Sequence, residues 1–449
     1  MYHPVNAVEV LAWGERVGAV ALDPAIGYYV FEYYPEWRAK GIELAPLHAA
    51  ISGTTFVYPS LPEASYHRLP PFIADSLPDD FGNALIDAYL AQQGIRRSDV
   101  TALDRLAYMA SRAMGALEFR PSRGPRHRKS SAVELSDLVE GARSVLGGRF
   151  DGDRETEAAL QSLIQVGTSA GGARAKAVIA WNRTTNEIRS GQLPADPGFE
   201  YWLIKLDGIG ADTELGSGGR YGRIEYAYYL MATAAGIAMT ECRLLEENDR
   251  AHFMTRRFDR VSGRDSASYK LHTLTLCGMA QLDFRQRATH DYSQYFQVID
   301  DLAMGADARE EAFRRMVFNV LARNCDDHTK NFSFVLDPSN GTGWQLSPAY
   351  DVTFAYNPNG EWTYQHLMSV NGKFASITRD DLLAVADRFR VPRARAVIRE
   401  VSRAIARWPE FARLAGVDDT QSAEIGAAHP SLEQAAVSGR ATEPARPDA

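Results

Sequence analysis

The sequence predicts an α+β fold in two lobes, with a small α+β subdomain in front of them. Three observations support this prediction. From the start to about residue 262, strand patterns and helix patterns both occur. From there to about residue 420, helical patterns dominate. One clear β-hairpin interrupts this helical stretch. A chain of 449 residues with 45% hydrophobic content can bury the cores of two or three such domains.

Composition and charge exclude several classes of protein. The formal net charge of -8 argues against a protein that coats nucleic acid, so any DNA contact would need a local basic patch or a partner. Cys242, Cys277 and Cys325 lack the CxxC spacing of zinc sites and predict no disulfide framework. The first residues lack the pattern of a signal peptide, and no stretch reaches the roughly 18 apolar residues that span a bilayer. We therefore expect a soluble, cytoplasmic protein with no membrane contact.

The N-terminal subdomain is predicted from its strands and helices. The stretch VEVLAWGERVGAVAL has the pattern of a β-hairpin that turns at Gly14, and GYYVFEYY has that of a further strand. The helix FGNALIDAYLAQQ follows Asp79 and Asp80, either of which can cap it. The next helix starts at Thr101, with Asp104 three residues on as in a capping box.

Composition also places the domain boundaries. The segment RPSRGPRHRKSS is rich in proline, glycine and basic residues, which indicates a solvated linker; a phosphate-contacting arm is the alternative. The residues from about 428 to 449 are rich in small and polar side chains and are expected to be disordered. The predicted ranges are 1–120 for the N-terminal subdomain, 121–132 for the basic linker, 133–262 for the strand-rich lobe, 263–427 for the helical lobe and 428–449 for the tail.

A polar run, NCDDHTKN, separates a helix from a β-hairpin in the helical lobe. The helix is predicted from the i, i+3, i+4, i+7, i+8 spacing of Phe313, Met316, Val317, Val320 and Leu321. The hairpin is predicted from FSFVL and WQLSPAY, which flank the turn sequence DPSNGTG. The sequence thus gathers carboxylates, an imidazole, an ammonium and an amide at the edge of one helix–loop–hairpin unit.

Three side chains of this unit have the spacing of a phosphotransfer site. Asp326 and Asn331 form the pattern D-x-x-x-x-N, in which protein kinases use the Asp to accept the substrate hydroxyl proton and the Asn to hold Mg²⁺. Asp351, at the end of the hairpin, stands where a second metal-binding group belongs, and Mg²⁺ prefers such oxygen ligands. The alternative is a capped loop whose Asp and Asn side chains bind turn amides.

A glycine-rich segment, QVGTSAGGARAKAVIAW, is a candidate for binding phosphates. Apolar residues before Gly167 and after Lys176 predict a strand–loop–strand arrangement, and the glycines let backbone amides approach phosphate oxygens. The segment matches neither the Walker A pattern nor GxGxxG, but protein kinases also cover ATP with a glycine loop between two strands. A flexible hairpin turn is the alternative.

Two charged residues further along the chain complete the predicted site. Lys205 lies inside the apolar strand pattern YWLIKLDG, and Glu225 lies near the start of the helix IEYAYYLMATAAGI. A lysine on a strand and a glutamate on the next helix match the kinase ion pair that positions the α- and β-phosphates. An edge-strand lysine with its ammonium in water is the alternative. HFMTRRFDR predicts the strand that leaves for the helical lobe, either as an adenine hinge or as an ordinary interdomain strand.

Together these features predict a bilobal protein-kinase-like fold, with the small α+β N-terminal subdomain and a mainly helical C-terminal lobe. In this order they resemble the HipA family of serine/threonine kinases, the toxins of type II toxin–antitoxin systems. LPPFIADSLPDDFGNAL and RLAYMASRAMGALEF resemble that family's N-terminal segments, and DDHTKNFSF and LSPAYDV resemble its catalytic segments. The resemblance covers nearly the whole chain.

The resemblance implies a role for each matching residue. Asp326 would be the catalytic base, and Asn331 and Asp351 would bind Mg²⁺. Lys205, paired with Glu225, would contact the phosphates of ATP. The remaining nucleotide-binding residues would be Gly171, Gly172, Ala173, Arg174, Ala175 and Lys176 in the loop, Arg256, Arg257 and Phe258 at the adenine hinge, and His328, Thr329, Lys330 and Tyr350 near the phosphates.

Ser169 falls where kinases of this family phosphorylate themselves, a modification that in the family ejects the loop and switches the enzyme off. A phosphoserine adds about -1.5 to -2 charges beside a site that must hold ATP phosphates. A hydroxyl that caps its own turn is the alternative. Arg256 departs from the family, whose hinge often has Glu there, and the segment from Ser268 to Tyr295 stands where the family has a substrate-facing loop.

The expected function is that of an ATP- and Mg²⁺-dependent kinase that phosphorylates itself and a protein of the translation machinery, such as an aminoacyl-tRNA synthetase, and causes growth arrest or persistence. The resemblance implies a HipB-like helix-turn-helix antitoxin as partner, with DNA reached only through it. Two other functions stay open. One is a catalytically weak partner of such an antitoxin that acts as a corepressor, and the other is a small-molecule phosphotransferase, since antibiotic kinases share the Asp-to-Asn spacing.

Overall fold

The computed structural model describes residues 2–125, 132–147, 154–166, 174–193, 196–209, 220–262, 268–339, 341 and 343–432. The chain divides into two compact units, each built from three separate segments. The first unit comprises Met1–Tyr226, Ala238–Arg285 and His328–Asp351, and the second comprises Ala227–Ile237, Gln286–Asp327 and Val352–Ala449.

The described strands and helices follow one another in mixed order along the chain. The strands are β1 (Ala7–Ala12), β2 (Glu15–Asp23), β3 (Tyr28–Tyr33), β4 (Leu117–Arg120), β5 (Lys176–Asn182), β6 (Ile188–Ser190), β7 (Phe199–Lys205), β8 (Cys242–Glu247), β9 (Arg250–Arg256), β10 (Arg260–Ser262), β11 (Ser268–Lys270), β12 (His272–Thr275), β13 (His290–Asp291), β14 (Ser333–Leu336), β15 (Trp344–Leu346) and β16 (Met368–Ser369). The helices are α1 (Pro35–Lys40), α2 (Glu63–Tyr66), α3 (Pro71–Ala74), α4 (Asp80–Ala91), α5 (Ala102–Met109), α6 (Leu135–Gly147), α7 (Arg154–Val166), α8 (Tyr221–Ala234), α9 (Leu276–Ala280), α10 (Tyr292–Asp301), α11 (Gly305–Leu321), α12 (Arg379–Arg388), α13 (Ala394–Ile405), α14 (Trp408–Ala415) and α15 (Asp419–Ala428), with 3₁₀ turns at Arg97–Asp99 and Thr329–Asn331.

The sheets of the first unit are antiparallel in its described part. Their strand orders are β3-β2-β1-β4, β6-β5-β7-β9-β8, β12-β14-β15 and β10-β11. In the five-stranded sheet, β5 and β7 are neighbours, so the strand after the glycine-rich segment lies beside the strand that ends at Lys205.

The predicted N-terminal hairpin and the caps of both following helices are confirmed. β1 and β2 turn at Trp13 and Gly14, whose φ angles of 52° and 79° are the left-handed values that a type I′ turn requires. Asp79 accepts a hydrogen bond from a backbone N–H in the first turn of α4 at 2.7 Å. Thr101 and Asp104 form the capping box of α5. Local side-chain chemistry therefore starts both helices where the sequence places them.

The predicted strand in front of the glycine-rich segment is wrong, because the structure has helix α7 there. Ala159, Leu160, Leu163 and Ile164 are buried, and their i, i+1, i+4, i+5 spacing is that of one helix face. A short apolar run fits a strand or a helix equally well until the longer period is counted. The glycine-rich segment therefore joins a helix to β5, rather than two strands.

One hydrophobic core joins the N-terminal helix α4 to the five-stranded sheet. Phe81 and Leu85 of α4 are buried in the same cluster as Ile179 of β5 and Trp202 of β7. Helices α6 and α7 contribute to this cluster as well, for example through Leu163. Because one core holds α4, β5 and β7, the start of α4 is fixed near the first residue of β5 and the last residue of β7.

The second unit is mainly helical in its described part, and its short strands β13 and β16 pair in parallel. The helix predicted before the polar run is confirmed as α11, with Phe313, Met316 and Val317 fully buried. After α11 the backbone N–H of Cys325 donates to the carbonyl of Ala355 at 2.9 Å. This bond fixes the chain immediately before Asp326.

Several predicted features lie outside the described residues. They are residues 126–131 of the basic linker, the glycine-rich loop from 167 to 173 and the part of the tail after 432. In the described part of the chain, no helix combines the length and apolar character needed to cross a membrane.

Candidate active site

Lys205 is bound to two carboxylates of the first unit. It is the last residue of β7, and its ammonium donates hydrogen bonds to Glu225 in the first turns of α8 and to Asp351, the latter at 2.6 Å. The Glu225 side chain is 1% exposed and that of Lys205 is 11% exposed. The structure therefore brings together a lysine on a strand, a glutamate on a helix and the aspartate that follows the hairpin. The sequence predicts each of the three on that kind of element.

The three groups stabilise one another's charges. Burial acts to lower the pKa of Lys205, but the carboxylates of Asp351 and Glu225 outweigh it, so this pKa is raised. Burial acts to raise the pKa of Asp351, but the ammonium groups of Lys205 and Lys176 outweigh it, and the pKa lies well below its usual range. The lysine is therefore cationic and the aspartate anionic at neutral pH.

Hydrogen bonds hold Asn331 and Asp351 on neighbouring segments. The hydroxyl of Tyr350 donates to the carbonyl of Lys330 at 2.6 Å and shares a hydrogen bond with the hydroxyl of Ser333. The residue before Asp351 is thus tied to the residue before Asn331. Asp351 itself has a φ of 52°, a left-handed conformation that is uncommon for a residue other than glycine.

Asn331 and Asp351 offer the oxygen donors that Mg²⁺ prefers, an amide and a carboxylate. Among the described residues, no group of three or more His, Cys, Asp or Glu side chains could hold a metal ion. Magnesium is commonly bound through one or two carboxylates and completes its shell with substrate phosphates and water. The two residues fit Mg²⁺ in chemical type.

The segment Leu282–Phe284 supports the residues next to Asn331. The hydroxyl of Thr329 donates to the carbonyl of Leu282 at 2.7 Å. The ammonium of Lys330 lies 4.5 Å from the centre of the Phe284 ring, and the His328 ring lies 5.7 Å from it. The segment lies within the stretch from Ser268 to Tyr295 that the resemblance compares with a substrate-facing loop, and its contacts here are with the polar run.

The described end of the glycine-rich segment reaches Glu225. Gly171, Gly172, Ala173 and Ser169 lie outside the described residues. The guanidinium of Arg174 lies 3.7 Å from the Glu225 carboxylate and 4.5 Å from the centre of the Tyr221 ring. Ala175 accepts a hydrogen bond from the backbone N–H of Leu206 at 2.9 Å. These residues lie against the Lys205 pair.

The predicted adenine hinge is at the end of β9. The backbone N–H groups of Arg256 and Arg257 donate to the carbonyls of Glu241 and Tyr201, both at 2.9 Å. The Arg257 guanidinium is buried and forms two hydrogen bonds with Asp259, at 2.9 and 2.7 Å. The Arg257 side chain is therefore committed to a structural ion pair, and an adenine there would have to use other groups.

Phe258 stands one residue further along, and its side chain contacts Tyr350. Its ring stacks on that of Tyr350 at a centroid distance of 5.9 Å. This contact links the hinge strand to the residue that precedes Asp351. An aromatic pair of this kind offers an apolar surface beside the charged residues.

Asp326 lies in the second unit, where a buried network holds its neighbour Asp327. The Asp327 carboxylate accepts hydrogen bonds from the Tyr292 hydroxyl at 2.8 Å, from His366 Nδ1 at 2.9 Å and from the Leu367 N–H at 2.8 Å. Burial acts to lower the pKa of His366, but Asp327 outweighs it and raises this pKa to about 10. The ion pair fixes the backbone beside Asp326, which is itself half-buried.

Comparison with known proteins identifies two domains in the chain. The model of the HipA N-terminal domain matches residues 8–120, and the model of the HipA-like C-terminal domain matches residues 168–408. No curated protein sequence matches the chain.

The solved structures that are similar to the chain include the following two. HipA of Shewanella oneidensis MR-1, in complex with HipB and operator DNA, has a TM-score of 0.65 at 17% identity and covers 95% of each chain. The proinflammatory kinase CtkA of Helicobacter pylori has a TM-score of 0.32 at 14% identity, over 50% of this chain and 92% of that one. The likeness to the Shewanella protein confirms the predicted kinase-like fold.

Proposed function

This chain belongs to the HipA family, and from that premise we propose that it is an ATP- and Mg²⁺-dependent kinase that phosphorylates serine or threonine in a protein. The contacts of Lys205 carry the proposal. Its buried ammonium binds both Glu225 and Asp351. Kinases place their strand lysine beside a helix glutamate in this way, with the metal-binding aspartate nearby.

Each group has a role that its chemistry supports. Lys205, oriented by Glu225, binds the phosphates of ATP, and Asp326 accepts the proton of the substrate hydroxyl. Asn331 and Asp351 hold Mg²⁺, which neutralises charge on the phosphoryl group when bound. Asp326 as a base contributes roughly 10²–10⁴-fold to the rate.

The proposal extends to Ser169 and to a partner protein. Ser169 stands a few positions before the cationic residues Arg174 and Lys176 in the sequence, and a phosphate on it would add negative charge that opposes the binding of ATP phosphates. We propose a HipB-like antitoxin as partner, because the Shewanella HipA is seen with HipB and operator DNA. DNA would be reached through that antitoxin, and the substrate would be a protein of the translation machinery.

The test is a phosphotransfer assay with the purified chain, Mg²⁺ and labelled ATP. We expect label on serine or threonine of the chain and of a protein substrate, and a loss of roughly 10²–10⁴-fold in Asp326→Asn with an unchanged melting temperature. The matched control is Asp301→Asn, which alters an exposed carboxylate of the same unit that accepts a hydrogen bond from Gln297. Equal labelling by Asp326→Asn and wild type would contradict the proposal.

A further inference from the structure

The strand register places two lysines side by side in the candidate site. Lys176, the first residue of β5, lies directly opposite Lys205 in the antiparallel pair of β5 and β7. Opposite residues of such a pair extend their side chains on the same face of the sheet, and like charges there repel each other. Lys176 is only 2% exposed. Each buried ammonium therefore needs a carboxylate of its own.

The carboxylate that faces Lys176 comes from the N-terminal subdomain. Asp79, the cap of α4, has its Oδ2 atom 3.6 Å from Lys176 Nζ, and the two side chains are 5% and 3% exposed. Lys205 already has Glu225 and Asp351. Asp79 is thus the carboxylate that faces the positive charge of Lys176, because Glu225 and Asp351 pair with Lys205.

The contact between Asp79 and Lys176 is loose. A separation of 3.6 Å exceeds the range of a hydrogen bond. Oδ2 of Asp79 accepts no hydrogen bond from the described residues, whereas Oδ1 accepts the N–H of Gly82. The charge of Lys176 also acts on Asp351, whose pKa it helps to lower. Lys176 is therefore attracted to Asp79 without being fixed to it.

We propose that Asp79 is a counter-ion that restrains Lys176 and so lowers the affinity of the site for nucleoside triphosphate. The ligand class rests on the proposed function; the role of Asp79 is additional to it. A phosphate oxygen that approaches Lys176 competes with the Asp79 carboxylate for one ammonium. Because Asp79 begins α4, a ligand or protein that shifts this helix changes nucleotide affinity. Asp79 is thus a positioning residue through which the N-terminal subdomain acts on the nucleotide site.

The decisive variant is Asp79→Asn, measured by titration with Mg-ATP at pH 7.5. Asparagine caps helices as well as aspartate does, so α4 keeps its start while the negative charge is removed. We expect Mg-ATP to bind about three- to tenfold more tightly, because one opposing charge at short range is gone. The KM for ATP should fall by the same factor with kcat little changed. In a Lys176→Met background, Asp79→Asn should have no effect on affinity.

Asp80→Asn is the matched control. It removes the same charge from the next residue, which is 76% exposed and pairs with Arg285 at 3.3 Å. Solvent screens that charge, so affinity should stay within about twofold of wild type. A larger gain in Asp80→Asn than in Asp79→Asn would mean that net charge alone is responsible, which overturns the proposal.

The pH dependence gives a second readout. Burial raises the pKa of Asp79 to about 6, against the opposing effects of Lys176 on β5 and Lys330 on the 3₁₀ turn, with Asp80 of its own helix adding to the rise. The wild-type carboxyl therefore becomes neutral below about pH 6. As the pH falls from 7.5 to 5.5, the ratio of the Mg-ATP affinity of Asp79→Asn to that of wild type should fall towards one. Protonation of ATP affects both proteins equally and therefore cancels in this ratio.

The outcomes separate the two proposals. Equal or weaker binding by Asp79→Asn at pH 7.5, with wild type binding normally and Lys205→Met not binding, would overturn the role of Asp79 alone. Failure of wild type to bind Mg-ATP would overturn both the role of Asp79 and the proposed function. Tighter binding that is lost in the Lys176→Met background would support both.

Discussion

At the scale of single residues, the candidate site is a balance of buried charges. The described residues bring together three cations and three carboxylates, which are Arg174, Lys176, Lys205, Glu225, Asp351 and Asp79. An isolated buried charge is costly, so the opposite charges of these groups lower the cost of burying them. Phosphate groups would compete with the carboxylates for the cationic side chains.

Glu225→Gln tests that balance at Lys205. Glutamine keeps the shape and one hydrogen-bond acceptor, but it removes a charge that is 1% exposed and faces both Lys205 and Arg174. We expect phosphotransfer to fall at least about tenfold, because the lysine loses the carboxylate that orients it. The control Glu246→Gln alters a carboxylate that is 67% exposed and pairs with Arg223. Its activity should equal that of wild type, since exposed ion pairs contribute about 0–1 kcal/mol.

At the scale of elements, short polar segments position the residues that the long elements deliver. α11 leads the chain to Asp326, but the network of Asp327 with Tyr292 and His366 determines how the chain turns there. Similarly, Tyr350 holds the end of the hairpin against the 3₁₀ turn that contains Asn331. The helices and strands bring the chain to the site residues, and the buried hydrogen bonds fix the backbone beside those residues.

His366→Asn tests the network beside Asp326. The pKa of His366 is raised from 6.5 to about 10 in the folded protein, so its contribution to stability is complete below about pH 6.5 and is lost as the pH rises through about 10. We expect the variant to lose about 3 kcal/mol of stability at pH 6, because the buried carboxylate of Asp327 loses its cationic partner. The stability difference from wild type, measured by urea unfolding, should shrink as the pH approaches 10.

His3→Asn is the control, since His3 is exposed and should leave stability unchanged at every pH. A stability gap between His366→Asn and wild type that stays constant from pH 6 to pH 10 would contradict a charged His366.

At the scale of the whole molecule, each unit is assembled from segments that are distant in the chain. Lys205 lies in the first of the three segments of the first unit, and Asn331 and Asp351 lie together in the third. Residues 328–351 return to that unit after the chain has entered the second. A fragment that ends at residue 285 would therefore lack Asn331 and Asp351, although it contains the whole strand-rich lobe.

Ligand stabilisation tests this assembly. Mg-ATP that binds only the folded protein at 100 times its Kd adds about 2.7 kcal/mol of stability, which corresponds to a melting temperature higher by a few degrees. We expect this shift in wild type and in Asp326→Asn, since the role proposed for Asp326 is to accept the proton of the substrate hydroxyl and not to bind ATP. Lys205→Met should lose the shift. Equal shifts in Asp326→Asn and Lys205→Met would contradict the roles proposed for them, and Mg²⁺ without ATP is the control.

Much of the local structure could be predicted from the sequence. The turn at Gly14, the caps at Asp79 and Thr101 and the helix before Asp326 all depend on residues within a few positions of each other. The strand predicted before Gly167 is wrong, because a short apolar run alone does not distinguish a strand from a helix, and the helical spacing of the apolar residues extends further back along the chain. The placement of Lys205 on a strand and Glu225 on the next helix also followed from such local patterns.

The sequence by itself determined the kinase-like fold class, the residues offered for the site and those elements that local patterns define, such as the hairpin at Gly14 and the helix before Asp326. The tertiary structure alone decided that Asp79 faces Lys176, that Lys176 lies opposite Lys205, and that His366 binds Asp327. The physical reason is distance along the chain. Periodicity and capping act between near neighbours, whereas the pairing of buried charges depends on which distant segments the hydrophobic core brings together.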